Sequence, residues 1–184
     1  LVVLAVFAPS LALAAPPVLD VGKLKLMSAN AVVIDPADGQ VIYSKAANEV
    51  TPIASLTKLM TAMVVLDAGQ PLDEALEIEM GDFDYLKGSR SRLRMGASLS
   101  RDEMLKLALM SSENRAASTL ARHYPGGTAA FVSAMNAKAS LLGLSRTRFE
   151  DPTGLSPRNV STATDLAQMV QAAADYPLIR TYST

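Results

Sequence analysis

Residues 51–69, TPIASLTKLMTAMVVLDAG, restrict the fold more than any other part of the chain. From 59 to 66 the run is L, M, T, A, M, V, V, L, with no charge before Asp67. Its apolar residues do not fall into one stripe, so a helix here is apolar on almost every side and must be enclosed by other elements. Yet Lys58 stands at the start of that helix, three residues after Ser55. Residues three apart on a helix share a face, so the hydroxyl and the amine lie side by side at the end where backbone N–H groups lack acceptors. An unpaired charge in an apolar setting costs a few kcal/mol, on the order of 2 or more. Burial also lowers a lysine's pKa, which makes it a usable base. A serine is inert at its own pKa and needs such a neighbour. Taken alone, the S-x-x-K spacing is equally compatible with a capping serine and a lysine that reaches solvent.

Composition narrows the chemistry. The chain has 184 residues, 49% hydrophobic and 19% charged, which suits one domain with its own core. It has no cysteine and one histidine, His123, so a thiol nucleophile, a disulfide framework and a His/Cys zinc site are excluded. A Ser-His-Asp triad would need His123, which sits in ARHYPGG at a helix end and reads as a capping or surface residue. A net charge of −1 argues against nucleic acid as a partner. The nine methionines read as core filler.

Residues 1–14 are apolar, too short to span a bilayer comfortably, and end in Ala12, Leu13 and Ala14, a small-x-small pattern. They read as part of a signal peptide, giving an exported, periplasmic protein that starts near Ala15 and has no membrane span after processing.

Periodicity and turn residues divide the rest. Two strands, Ala31–Ile34 and 40–44, flank Asp35, Pro36 and Gly39 as a hairpin. LEIEM (76–80) alternates, and so does SRSRLRM (89–95), where Arg90, Arg92 and Arg94 share one face. With Lys87 they form a basic stripe that could meet carboxylates but reads first as a solvated strand face. Ser100 to Glu103 is a capping box that opens a helix ending near Ser111 and Ser112. NRAASTLARHY and AAFVSAMNAKASLLGL are two more helices, and STATDLAQMVQAAADY is another, with Ser161 or Thr162 as N-cap. DPTGLS reads as a structural turn. Ser112, Glu113 and Asn114 fall at the break between two helices, where a hydroxyl can relay a proton and an amide can meet a peptide group. Glu113, between them, is expected to face solvent. S-x-N alone is weak, since it recurs at Ser28 and Asn30.

IASLTKLMTA, LALMSSENRAASTLARHYPGG and RFEDPTGLS with VSTATDLA together resemble the penicillin-binding serine DD-peptidases, above all the low-molecular-weight, penicillin-binding protein 7-like DD-endopeptidases. The similarity covers roughly residues 28–184. Ser55 and Lys58 match the family's S-x-x-K, and Ser112 and Asn114 match its S-x-N. No Lys-Thr-Gly occurs, and the nearest string, Pro152, Thr153 and Gly154, lacks the lysine. Residues 15–184 are accordingly expected to be a catalytic domain clipped before the Lys-Thr-Gly strand, and inactive alone; penicillin acylation of these residues by themselves would contradict this.

The resemblance implies an α+β, β-lactamase/DD-peptidase-like fold: an antiparallel sheet with helices on it, a helical lobe inserted after the first hairpin, and C-terminal strands missing. It implies Ser55 as nucleophile, Lys58 as general base, Ser112 as proton relay and Asn114 as binder of the substrate amide, with no metal and no cofactor. One oxyanion donor would be the Ser55 N–H and the other would come from the missing strand, a loss worth about 10²–10³ in rate. Peptidoglycan stem peptides would be the substrate and β-lactams the inhibitors. The leading activity is hydrolysis of D-alanyl bonds in cross-links. A DD-carboxypeptidase, a β-lactamase and a non-catalytic wall-binding module remain alternatives.

Overall fold

A computed structural model of the chain describes residues 24–83, 88 and 91–183. The first fourteen residues, Lys87 and Arg90 lie outside the described residues. The chain opens with a hairpin of β1 (Ala31–Ile34) and β2 (Val41–Lys45), antiparallel, with Ala31 opposite Lys45 and a register shift between Val33 and Ile34. The second strand thus lies one residue further on than alternation alone suggests. Asp35 closes the turn, its side chain accepting from the Ala37 N–H at 2.8 Å.

β3 (Thr51–Pro52) leads into a single 3-10 turn, Ala54–Leu56, and then α1 (Thr57–Asp67). α1 touches every other helix of the fold, which accounts for its all-round apolar sequence. Met60 and Met63 are fully buried, Ala62, Val64 and Val65 nearly so, and each larger side chain contributes roughly 1.5–3 kcal/mol by leaving water.

β4 (Ala75–Glu77) pairs antiparallel with β5 (Ser98–Ser100), burying Leu76. The expected strand at 76–80 stops at Glu77, because Met80–Asp82 forms a 3-10 turn closed by a capping box between Glu79 and Asp82. The expected strand at 89–95 is absent from its described part: residues 91–95 run as coil. The alternation there has another cause. Leu93 packs against the core while Arg92 and Arg94 stay exposed, and the segment is anchored by Arg115, whose guanidinium donates to the Leu93 carbonyl.

α2 (Arg101–Met110) starts at the capping box of Ser100 and Glu103. α3 (Asn114–Arg122) follows after a short break, then α4 (Gly127–Leu141). His123 ends α3, its ring nitrogen 2.9 Å from the Thr119 carbonyl, a capping position as its sequence context suggests. β6 (Val160–Ser161) pairs with β3. α5 (Ala163–Ala174) is N-capped by Thr162, whose hydroxyl accepts from the Asp165 N–H. A last helix, α6 (Pro177–Tyr182), goes unread in the sequence because it is short, although Pro177 at its start is a good helix opener.

The described strands therefore form three separate two-stranded ladders, with α1 to α4 placed between the two strands of one of them. The hairpin, marginal by itself, rests on α5. Among the described residues no helix is long and apolar enough to cross a membrane.

Candidate active site

Ser55 lies in the 3-10 turn just ahead of α1, not in α1 itself, so its side chain is exposed while Lys58, one residue into the α-helix, is buried. The residue before it, Ala54, has a left-handed backbone, φ 46°. Strain of this kind is held in place only by surrounding contacts. Here the contacts come from residues 151–159.

Asp151 organises that loop. One carboxylate oxygen accepts from the Thr153 N–H, the Thr153 hydroxyl and the Gly154 N–H at 2.5–2.7 Å, and the other accepts from the Ser156 N–H at 2.6 Å. Asn159, fully buried, donates to the Thr57 hydroxyl and the Asp151 carbonyl, and accepts from the Glu150 N–H. The loop presents two carbonyls to α1. Pro152 accepts from the Thr61 hydroxyl at 2.6 Å and Thr153 accepts from Lys58 Nζ at 2.8 Å. DPTGLS is thus a turn, as its residues indicate, and also the floor under the lysine.

The break between α2 and α3 forms the opposite wall. Ser112 has φ 52°, a second left-handed non-glycine residue, and its hydroxyl donates to Ser55 Oγ at 2.8 Å. Asn114 Oδ1 accepts from Lys58 Nζ at 2.8 Å. Glu113 is half-buried rather than turned to solvent: it caps α3, accepting from the Arg115 N–H. Ser55, Lys58, Ser112 and Asn114 are thereby gathered at one end of α1, beside a cavity of about 420 Å3 floored by Leu59, Ala108 and Leu109. Asn30 of the other S-x-N string lies elsewhere, donating to the Ala46 carbonyl.

The hydrogen-bond pattern has a definite chemical consequence. Lys58 Nζ is 3.4 Å from Ser55 Oγ and 2.8 Å from each of Asn114 Oδ1 and the Thr153 carbonyl. A neutral amine has two N–H groups and one lone pair. The charged amine donates to all three, Ser55 Oγ included; once it is neutral, with both N–H groups spent on Asn114 and Thr153, its lone pair faces Ser55. Burial draws the Lys58 pKa down from 10.5 to about 8, against the opposing pull of Asp151 and Glu113. The neutral form is therefore accessible near neutral pH. The arrangement suits proton transfer from Ser55 to Lys58, with Ser112 placed to pass a proton onward.

Sequence reasoning missed Asp151, Thr153 and Asn159 as parts of this site. Asp151 followed by Pro152 and Gly154 announces a turn, but contact through a main-chain carbonyl leaves no mark in a side-chain pattern. Among the described residues no group of three or more His, Asp or Glu side chains is placed to hold a metal.

Comparison with known proteins agrees with this architecture. Residues 17–184 match the peptidase S11 family model, described as D-alanyl-D-alanine carboxypeptidase. The chain is 55% identical to a D-alanyl-D-alanine endopeptidase of Pseudomonas aeruginosa and 54% identical to one of Escherichia coli, each over 87% of this chain and 52% of the relative. The S216A mutant of the Streptomyces K15 DD-transpeptidase superposes with a TM-score of 0.81 at 29% identity, over 87% of this chain and 66% of that one. The chain spans about half the length of the curated relatives it matches. Its fold is that of the penicillin-binding DD-peptidases, and the chain belongs to the peptidase S11 family.

Proposed function

We propose that the protein is a DD-endopeptidase that hydrolyses D-alanyl bonds in peptidoglycan cross-links through an acyl-enzyme on Ser55. The observation that carries this reading is the relay of Ser112, Ser55 and Lys58, with the lysine's two other contacts fixed by Asn114 and Thr153. Ser55 Oγ attacks the D-alanine carbonyl while Lys58 takes its proton. The oxyanion that forms lies at the N-terminal end of α1, where the Ser55 N–H has no intrahelical acceptor. As the C–N bond breaks, Ser112 gives its proton to the departing amine and regains one from Lys58. Water then adds to the ester, its proton passing to Lys58, and Lys58 returns that proton to Ser55 Oγ as the acid leaves. Asn114 orients Lys58 and binds the substrate amide. β-Lactams acylate the same hydroxyl. No cofactor takes part.

The leader-like pattern ending at Ala14 supports export to the periplasm, where the substrate lies and where cross-link cleavage would serve wall remodelling and cell shape. The 54–55% identity to proteins named endopeptidases favours the cross-link over the terminal D-alanine. The family description favours the second reading, a DD-carboxypeptidase using the same residues. Both are tested on the protein at the full length of its relatives. Fluorescent penicillin should label it at Ser55 and not in Ser55→Ala. Cross-linked dimers should be cleaved faster than pentapeptide monomers. No labelling would overturn the peptidase reading, and faster release of terminal D-alanine would replace the endopeptidase by the carboxypeptidase.

A further inference from the structure

On the other side of the Ser112 turn a second cavity, of about 610 Å3, opens between Ser91, Arg92 and Leu93 on one wall and Leu107, Ser111 and Glu113 on the other. Ser111 and Glu113 are the immediate neighbours of Ser112, which bonds to Ser55. A molecule acylating Ser55 is therefore within reach of this cavity through its own chain.

The wall bearing Arg92 is held in register with the catalytic turn. Arg115 stacks over the Phe83 ring at 3.8 Å, donates from its guanidinium to the Leu93 carbonyl, and donates from its backbone N–H to Glu113. Arg115 follows Asn114 directly, so the segment 91–93 is tied to the same helix end that meets Lys58.

The cavity's polar groups select one kind of ligand. Arg92 is exposed and, among the described residues, has no ion-pair partner. Ser91 Oγ accepts from the Leu93 N–H at 3.0 Å, which leaves its own O–H to donate. Guanidinium and hydroxyl together form a donor-rich end, suited to a carboxylate. Glu113 lines the same cavity without pairing to Arg92, and its carboxylate favours amide N–H groups beside it. Leu93 and Leu107 line the space between. An extended peptide with a free carboxylate on one residue and N–H groups along its backbone satisfies this pattern.

We infer that this cavity is a subsite for a free carboxylate of the peptidoglycan stem peptide, and that Arg92 makes the protein prefer acidic stems over amidated ones. The inference rests on the proposed function only in taking a stem peptide as the substrate. Its test uses binding, not turnover. Calorimetry on the full-length protein in a Ser55→Ala background would compare a synthetic pentapeptide stem with its carboxylate-amidated counterpart. The acidic peptide should bind about tenfold more tightly at low salt, the advantage of one charge-assisted contact. That advantage should shrink as ionic strength rises. Adding Arg92→Gln should abolish it, Arg92→Lys should retain part, and Arg94→Gln, two residues on and outside the cavity, should leave it intact. Equal binding of the two peptides, no binding of either, or a preference that survives Arg92→Gln or is lost equally in Arg94→Gln would overturn the subsite. Failure of the peptidase reading shows separately, as absent penicillin labelling of the parent protein.

Discussion

A methyl group on Gly154 would lie 1.9 Å from the Ala54 carbonyl oxygen and 2.4 Å from its carbonyl carbon. Gly154 also has φ +86°, so it is glycine for two reasons at once. The contact joins the loop that carries Thr153 to the residue that precedes Ser55. Gly154→Ala must push the two backbones apart, and overpacking against main chain costs about 3 kcal/mol or more. Gly143 has a similar φ of +72° with no atom within 4 Å of the added methyl. Gly143→Ala should therefore cost only the left-handed strain, about 1–2 kcal/mol. Thermal melting of both variants, made in the protein at the full length of its relatives, checks the difference, and penicillin labelling of that protein should be lost in Gly154→Ala alone.

The Lys58 pKa predicts a pH profile. A base must be unprotonated, so acylation of Ser55 should rise with pH and reach half its maximum near 8. Lys58→Arg keeps the charge but removes the proposed base, and should slow acylation by about 10²–10⁴-fold at every pH. Stability has a matching sign. Between about 8 and 10.5 the unfolded chain binds more protons at this site than the native one, so this group's contribution grows more favourable as pH rises through that window. A rate that falls with pH across 7–9 would contradict Lys58 as base.

The part of the site legible in the sequence is the part built from side chains at short spacing. Ser55 and Lys58 are adjacent because a helical turn makes them so, and α1 is recognisable as central because it has no polar face. Ser112 and Asn114 come through the strings that resemble the family, since nothing local ties residue 112 to residue 55. The loop at 151–159 escapes because it acts through carbonyls of Pro152 and Thr153, about ninety residues from their α1 partners. The supposed strand shows the reverse error over its described part, residues 91–95. Its alternation reflects which residues face the core, and a coil segment laid across a core alternates as readily as a strand.

Asp151 connects loop order to lysine chemistry. Its carboxylate accepts four donors from residues 153–156, and its charge holds the Lys58 pKa up against burial. Asp151→Asn removes the charge while keeping one acceptor oxygen, so the acylation midpoint should move below 8. Asp151→Ala removes the acceptors as well, leaving several backbone N–H groups unpaired, and should cost a further 2–3 kcal/mol or so in stability. A pH titration of acylation and a denaturant melt measure the two effects separately. An unmoved midpoint in Asp151→Asn would show that the charge does not reach Lys58.

Ser112 combines a chemical and a conformational demand, and the two can be separated. Its hydroxyl is exposed and bonds only weakly stabilise at such sites, by about 1 kcal/mol or less. Ser112→Ala should therefore leave melting nearly unchanged while lowering acylation about 10²-fold or more, if it breaks the proposed proton path to the leaving amine. Its φ of 52° is the second factor. Ser112→Gly also lacks the hydroxyl but relieves the left-handed backbone, so it should be about 1 kcal/mol more stable than Ser112→Ala. Equal loss of acylation in both variants, despite their different stabilities, assigns the defect to the missing hydroxyl. Recovery of activity in Ser112→Gly would assign it to backbone strain instead, and would remove Ser112 from the relay.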